Sequence, residues 1–134
     1  MDIEQLRARQ APLKHRYSAD PASALTEVSA SATFVDPGIT ATVDTWACSV
    51  RAGLHPATGG DGSDACSADM LLQALCGCFG VTMGSVATAM RLEIRSAAIT
   101  AGGTFDARGT LGLSRSVAVG VSNIEVVATL ATDA

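Results

Sequence analysis

From Met70 to Met90 the chain runs 21 residues without a charge. The spacing predicts one long helix over this stretch. Apolar residues fall on every side of it, the mark of a helix buried all round rather than one with a wet face. Ser67 stands where an N-cap belongs, and Asp69 falls in the first turn, where the helix dipole favours a carboxylate. The helix is expected to end near Leu92. Its length also matches a membrane span, and Gly80-xxx-Gly84 is a spacing used by paired membrane helices. Gln73, Thr82, Ser85 and Thr88, three glycines and flanks without aromatic belts favour instead the central helix of a soluble fold.

The rest of the chain predicts a short polar helix and a set of strands for that helix to pack on. Residues 2–17 form the polar helix, with Leu6 and Leu13 as its apolar contacts, and Asp20-Pro21 breaks it. Residues 25–35 and 39–47 read as two strands of a hairpin around an Asp36-Pro37-Gly38 turn. A loop from His55 to Asp64 precedes the long helix. Residues 94–107 and 122–131 read as two further strands, with a loop at 109–120 between them. In the last strand Ile124, Val126, Ala128 and Leu130 alternate with Glu125, Val127 and Thr129, the period of a half-buried strand. There are no repeats and no linkers, so residues 1–134 are expected to be a single domain, with about 1–20 as an N-terminal helical segment. Two strands, one long helix and more strands make an α+β fold with an antiparallel sheet.

Composition narrows the function. The net charge is −4, and 16% of residues are charged, against roughly 25% in an average soluble protein. One lysine and eight arginines are scattered, which excludes a basic nucleic-acid-binding face. The N-terminus carries no apolar run after its first charges, so no secretory signal is read, and a cytoplasmic protein is expected. Cys48, Cys66, Cys76 and Cys78 are then thiols rather than a disulfide framework, and Cys76-Gly77-Cys78 is no zinc spacing. Neither metal nor cofactor is expected. The glycine-rich run 58–64 precedes a helix but lacks Gly-Lys-Ser/Thr, and Asp61 and Asp64 would repel a phosphate. It reads as a loop with unusual backbone angles. His55, before Pro56, reads as a turn residue.

Cys78 is the residue with chemistry to offer. On a helix it shares a face with Leu71, Ala74, Leu75 and Thr82, which suits a core cysteine as well as a reactive one. A reactive thiol needs a nearby cation, and three turns into the helix the dipole supplies little. Cys76 lies about 200° round the helix from it, and Cys66 about 18 Å along the axis, so neither can pair with it within the helix.

The run Ala52-Gly53-Leu54-His55-Pro56-Ala57-Thr58-Gly59-Gly60-Asp61-Gly62, the segment Cys66 to Leu75, and Cys78-Phe79-Gly80-Val81-Thr82-Met83 together resemble the OsmC/Ohr family of thiol-dependent peroxidases. The likeness is nearer the OsmC-like branch than Ohr proper. Phe105 to Gly112 and Val119-Gly120-Val121 fit as well, so the resemblance spans about residues 12–134. It implies the OsmC-like fold and an intertwined homodimer, sheets from both chains wrapping the central helices and each active site at the interface. It implies an oxidoreductase of the oxidative stress response, a hydroperoxide reductase that takes organic hydroperoxides and an external thiol or dithiol reductant. Cys78 matches the family's peroxide-attacking cysteine. Its activating arginine would be Arg16 or Arg51. Where many relatives carry Glu ten residues before that cysteine, this chain has Ala68, with Asp69 beside it as the acidic candidate. The family's second cysteine would lie on a later helix, past Ala134, so the chain reads either as truncated or as an impaired or one-cysteine enzyme. The alternative is a non-enzymatic dimeric module of the same fold that binds a small ligand or a partner, with Cys78 a core residue.

Overall fold

In the computed structural model, which describes residues 1–34 and 38–132, helix α1 (Ile3–Ala19) opens on a capping box. The Asp2 carboxylate accepts the Gln5 N–H at 2.8 Å, and the Gln5 side chain accepts the Asp2 N–H at 3.2 Å. The helix stops where Asp20-Pro21 was expected to stop it. Asp20 then caps a short 3-10 turn, Pro21–Ala24, with Pro21 at its start.

Four short strands follow: β1 (Ser31–Thr33), β2 (Ala41–Asp44), β3 (Ser49–Gly53) and β4 (Ala65–Cys66). β1 and β3 flank β2 antiparallel, with Val43 opposite both Ala32 and Val50, and β4 joins β3 in parallel. The expected hairpin is present but shorter on both arms. Residues 25–30 take no regular structure, and the apolar side chains there, Leu25 and Val28, stay exposed with nothing packed on them. The Asp36-Pro37 part of its turn lies outside the described residues. β3, which lacks clear alternation, forms because of the turn before it. The Thr45 hydroxyl accepts the N–H groups of Ala47 and Cys48 at 3.3 and 3.2 Å, which turns the chain back along β2.

α2 (Ser67–Met90) is the long helix, and it takes in Ser67 as its first residue rather than its cap. It ends one residue before Arg91, which adopts left-handed φ 57°. There the Leu92 N–H reaches the Ala87 carbonyl at 2.9 Å and the Arg91 N–H reaches Thr88 at 3.2 Å, a Schellman closure on a residue other than glycine. β5 (Ile94–Thr104) and β6 (Ser122–Thr132) form a second sheet close to the expected bounds. Ser122 bonds back to Thr104 and Thr132 to Glu93, so the pair runs antiparallel. The loop expected at 109–120 begins as a single helical turn, α3 (Ala107–Thr110). The architecture is α+β.

These elements divide into two compact units. The first holds Met1–Ser29, Cys78–Ile99 and the chain from Ala128 onward. In it a Cβ on Gly80 would stand 3.1 Å from Ile99 Cδ1, so the missing side chain lets β5 approach α2 closely. The expected all-round burial of the helix is not met within one chain. Ala87 is the one buried apolar residue among those described, while Phe79, Val81, Val86 and Met90 are exposed. α2 is also long and apolar enough to cross a membrane by length and composition.

The second unit holds Ala30–Gly77 and Thr100–Val127. Its long loop is fastened at both ends. The His55 carbonyl accepts the N–H groups of Thr58 at 2.8 Å and Gly60 at 3.1 Å. Asp64 pairs with Arg51 of β3 through Nε–Oδ1 at 2.9 Å and Nη2–Oδ2 at 3.1 Å. The glycines answer to this geometry. Gly59 has φ 98°, and a Cβ on Gly60 would lie 1.8 Å from the Leu54 carbonyl oxygen. Since that obstacle is backbone, Gly60→Ala should destabilise the protein by about 2–3 kcal/mol, read as a shift in the denaturant midpoint.

Asp106 caps α3 and is bound by the Arg108 guanidinium first and the Arg108 N–H second, which hold its carboxyl down at about 2. A carboxyl with a depressed folded-state pKa stabilises above its unfolded value of about 3.9 and loses that contribution as pH falls toward 2. A carbon-13 NMR titration should find the Asp106 midpoint near 2, and Arg108→Ala should move it upward.

Candidate functional site

The residues that could do chemistry are distributed over α2 and the elements before it. Cys78 lies in the middle of α2 and belongs to the first unit, and its thiol is exposed and free. Cys76, two residues earlier, is half-buried, as the 200° divergence on a helix requires. Cys66 is half-buried at the end of β4, and Cys48 is exposed beside the β2–β3 turn. All four are free thiols.

Of the two candidate arginines, each has a local partner. Arg16, near the end of α1, donates from Nη2 to the Tyr17 hydroxyl at 3.2 Å and lies over the Tyr17 ring, 5.0 Å from its centre. Arg51 points its fork at Asp64, and the two-bond geometry ties β3 to the loop. Asp64, 13 residues further on, was not singled out as a partner for Arg51. The only signal was an acidic residue in a loop that follows a strand carrying Arg. Asp69 sits in the first turn of α2, exposed, where its charge complements the helix dipole. Ala68 occupies the preceding helical position and offers no acid.

In the glycine-rich loop the acidic side chains serve the loop itself. Asp61 turns its carboxylate back on the loop, accepting the Ser63 hydroxyl at 2.6 Å and the Ser63 N–H at 2.9 Å. Those bonds, the side-chain one first, hold the Asp61 carboxyl below its ordinary value and so negatively charged. His55 serves as the cap of the 3-10 turn Pro56–Thr58, accepting the Ala57 N–H on Nδ1 at 3.0 Å. Among the described residues, no group of three His, Cys, Asp or Glu side chains is placed to hold a metal ion.

Chemically, then, α2 presents one exposed thiol in the middle of an apolar surface. A soft nucleophile in such surroundings suits an apolar electrophile better than a charged one. No curated protein matches the chain. A family model described as OsmC-like protein matches residues 60–134, from the glycine-rich loop through α2 and both long strands. That match covers more than half of the sequence and includes Cys78, and the chain belongs to the OsmC-like family.

Proposed function

We propose that this protein reduces organic hydroperoxides with Cys78 as the attacking thiolate. The observation that carries it is the position of Cys78, exposed on the central helix of an OsmC-like chain, within the part that the family model matches. In the step itself the sulfur attacks the distal peroxide oxygen and the O–O bond breaks. Its electron pair leaves with the alkoxide, which takes a proton and departs as alcohol, leaving Cys78 as a sulfenic acid. The apolar surroundings of the thiol (Phe79, Val81 and Leu71 are exposed on the same helix) favour alkyl and aryl hydroperoxides over hydrogen peroxide.

The sulfenic acid has no resolving thiol on its own helix. Cys76 diverges from Cys78 round the helix, and Cys66 precedes α2, at the end of β4. Reduction therefore falls to an external thiol or dithiol. The thiol condenses with the sulfenic acid, releasing water and forming a mixed disulfide, and a second thiol equivalent reopens it. Asp69 and one of Arg16 and Arg51 remain the residues proposed to activate Cys78. Both arginines have competing local partners, so activation requires either to trade its present contact for the thiolate.

A homodimer in the cytoplasm completes this proposal. The exposed apolar side chains of α2 are too many for a soluble monomer to leave in water, and a second copy of the helix with its strands would cover them. Analytical ultracentrifugation of the detergent-free protein at micromolar concentration should show a dimer; a monomer would defeat the dimer proposal.

Dimedone trapping after one equivalent of cumene hydroperoxide, followed by peptide mapping, should label Cys78 first, ahead of Cys76. Cys78→Ser should lower thiol-dependent peroxide consumption by about 10³-fold or more, as loss of a nucleophile does. Equal labelling of Cys76 and Cys78, or turnover that survives the substitution, would remove the peroxidase assignment.

A further inference from the structure

A cavity of about 360 Å³ lies in the second unit between β3, the start of α2 and the chain on either side of α3. Cys78 is not among its lining residues, although Leu71 of the apolar surroundings of the thiol is. Most of its wall is apolar, from Leu54, Leu71, Phe105 and Val121, and Thr58, Ser67 and Thr110 add hydroxyl-bearing side chains to the lining. No Asp, Glu, Lys or Arg lines it, so an ion would enter without a counter-charge and lose its hydration for nothing. Its volume is at the small end of the range for ligand sites, roughly 300–1,000 Å³.

Among the polar residues of the lining, His55 is held in place by its own turn. The His55 carbonyl accepts three bonds, from the Thr58 N–H, the Gly60 N–H and the Thr58 hydroxyl at 3.0 Å. The ring is fixed from two sides. Nδ1 accepts the Ala57 N–H, and Phe105 stands edge-on with centroids 5.1 Å apart and planes at 81°. Because Nδ1 is an acceptor, the neutral ring carries its proton on Nε2, which has no hydrogen-bond partner among the described residues. The glycine-rich run before α2 thus gains a purpose: its left-handed Gly59 and side-chain-free Gly60 let the turn close under His55.

We propose that this cavity is a binding site for a small uncharged molecule with a ring-sized apolar body and one acceptor oxygen, a ketone, ether or neutral alcohol. The body fills the space among Leu54, Leu71, Phe105 and Val121, and the oxygen accepts the His55 Nε2–H. The site goes beyond the peroxidase proposal and does not depend on Cys78. Cys66, half-buried in the cavity wall, provides a reporter of occupancy.

The test uses the full chain and three probes of one size: acetophenone, ethylbenzene and benzoate. Acetophenone should bind in an NMR titration with its largest shifts at His55 and Phe105. At saturation it should slow N-ethylmaleimide labelling of Cys66, mapped by peptide, while leaving Cys48 unchanged. His55→Asn, which keeps an acceptor for the Ala57 N–H, should weaken acetophenone about fivefold, the worth of one neutral hydrogen bond, and leave ethylbenzene unaffected. Ala68→Phe, which places a ring in the cavity from the first turn of α2, should abolish both. The inference is overturned if benzoate binds as well as acetophenone, if saturating acetophenone leaves Cys66 labelling unchanged, or if His55→Asn weakens both neutral probes alike.

Discussion

The absence of charge along one face-to-face turn after another of α2 is the constraint on which everything else turns. A helix of 24 residues with no charge after Asp69 cannot be left in water, and the strands of one chain leave Phe79, Val81, Val86 and Met90 uncovered. In the proposed dimer a second copy lies against it. Its ends are defined accordingly: a carboxylate in the first turn, and at the far end Arg91, which is both the first charge after the helix and the residue whose left-handed turn stops it. The only thiol chemistry proposed for the protein depends on the same apolar surface, because the exposed sulfur of Cys78 sits within it.

The second unit, by contrast, is tied down by polar groups. Arg51 and Asp64 clamp the loop to β3, His55 anchors its start with backbone and ring, and Asp61 folds back on Ser63. The two units thus use different physics. One offers apolar area and a nucleophile, and the other holds a fixed turn beside a largely apolar cavity.

How much of this could be read from the sequence depended on whether the signal was local. α1 and its stop were legible, because a capping box and Asp20-Pro21 act within a few residues. The long helix and the two long strands were legible from period and length, to within a few residues at each end. β3 was not, since Val50 alone gives no alternation and the strand is set by the Thr45 hydroxyl and by pairing with β2. The strand expected at 25–35 forms only at 31–33, because Leu25 and Val28 before it find no partner surface and stay exposed. In the site, Cys78 could be singled out from family likeness, whereas the Arg51–Asp64 pair could not, because its members stand 13 positions apart, across the end of β3 and the loop after it. The role of His55 as a cap was visible in His-Pro, but its place in a cavity wall depends on Phe105, fifty positions away.

Gly60 and Gly80 show two kinds of sequence constraint that look identical on paper. At Gly60 the obstacle is a peptide carbonyl, which no substitution elsewhere can remove, so the position admits a single residue for as long as the turn exists. At Gly80 the obstacle is the tip of Ile99, a side chain that can rotate or be shortened. Among relatives, position 60 should therefore be fixed on its own, while position 80 should drift in company with position 99: Ala at the first wherever Val or Ala has appeared at the second. The contact between helix and strand is then a property of the pair, inherited jointly, and neither residue carries it alone.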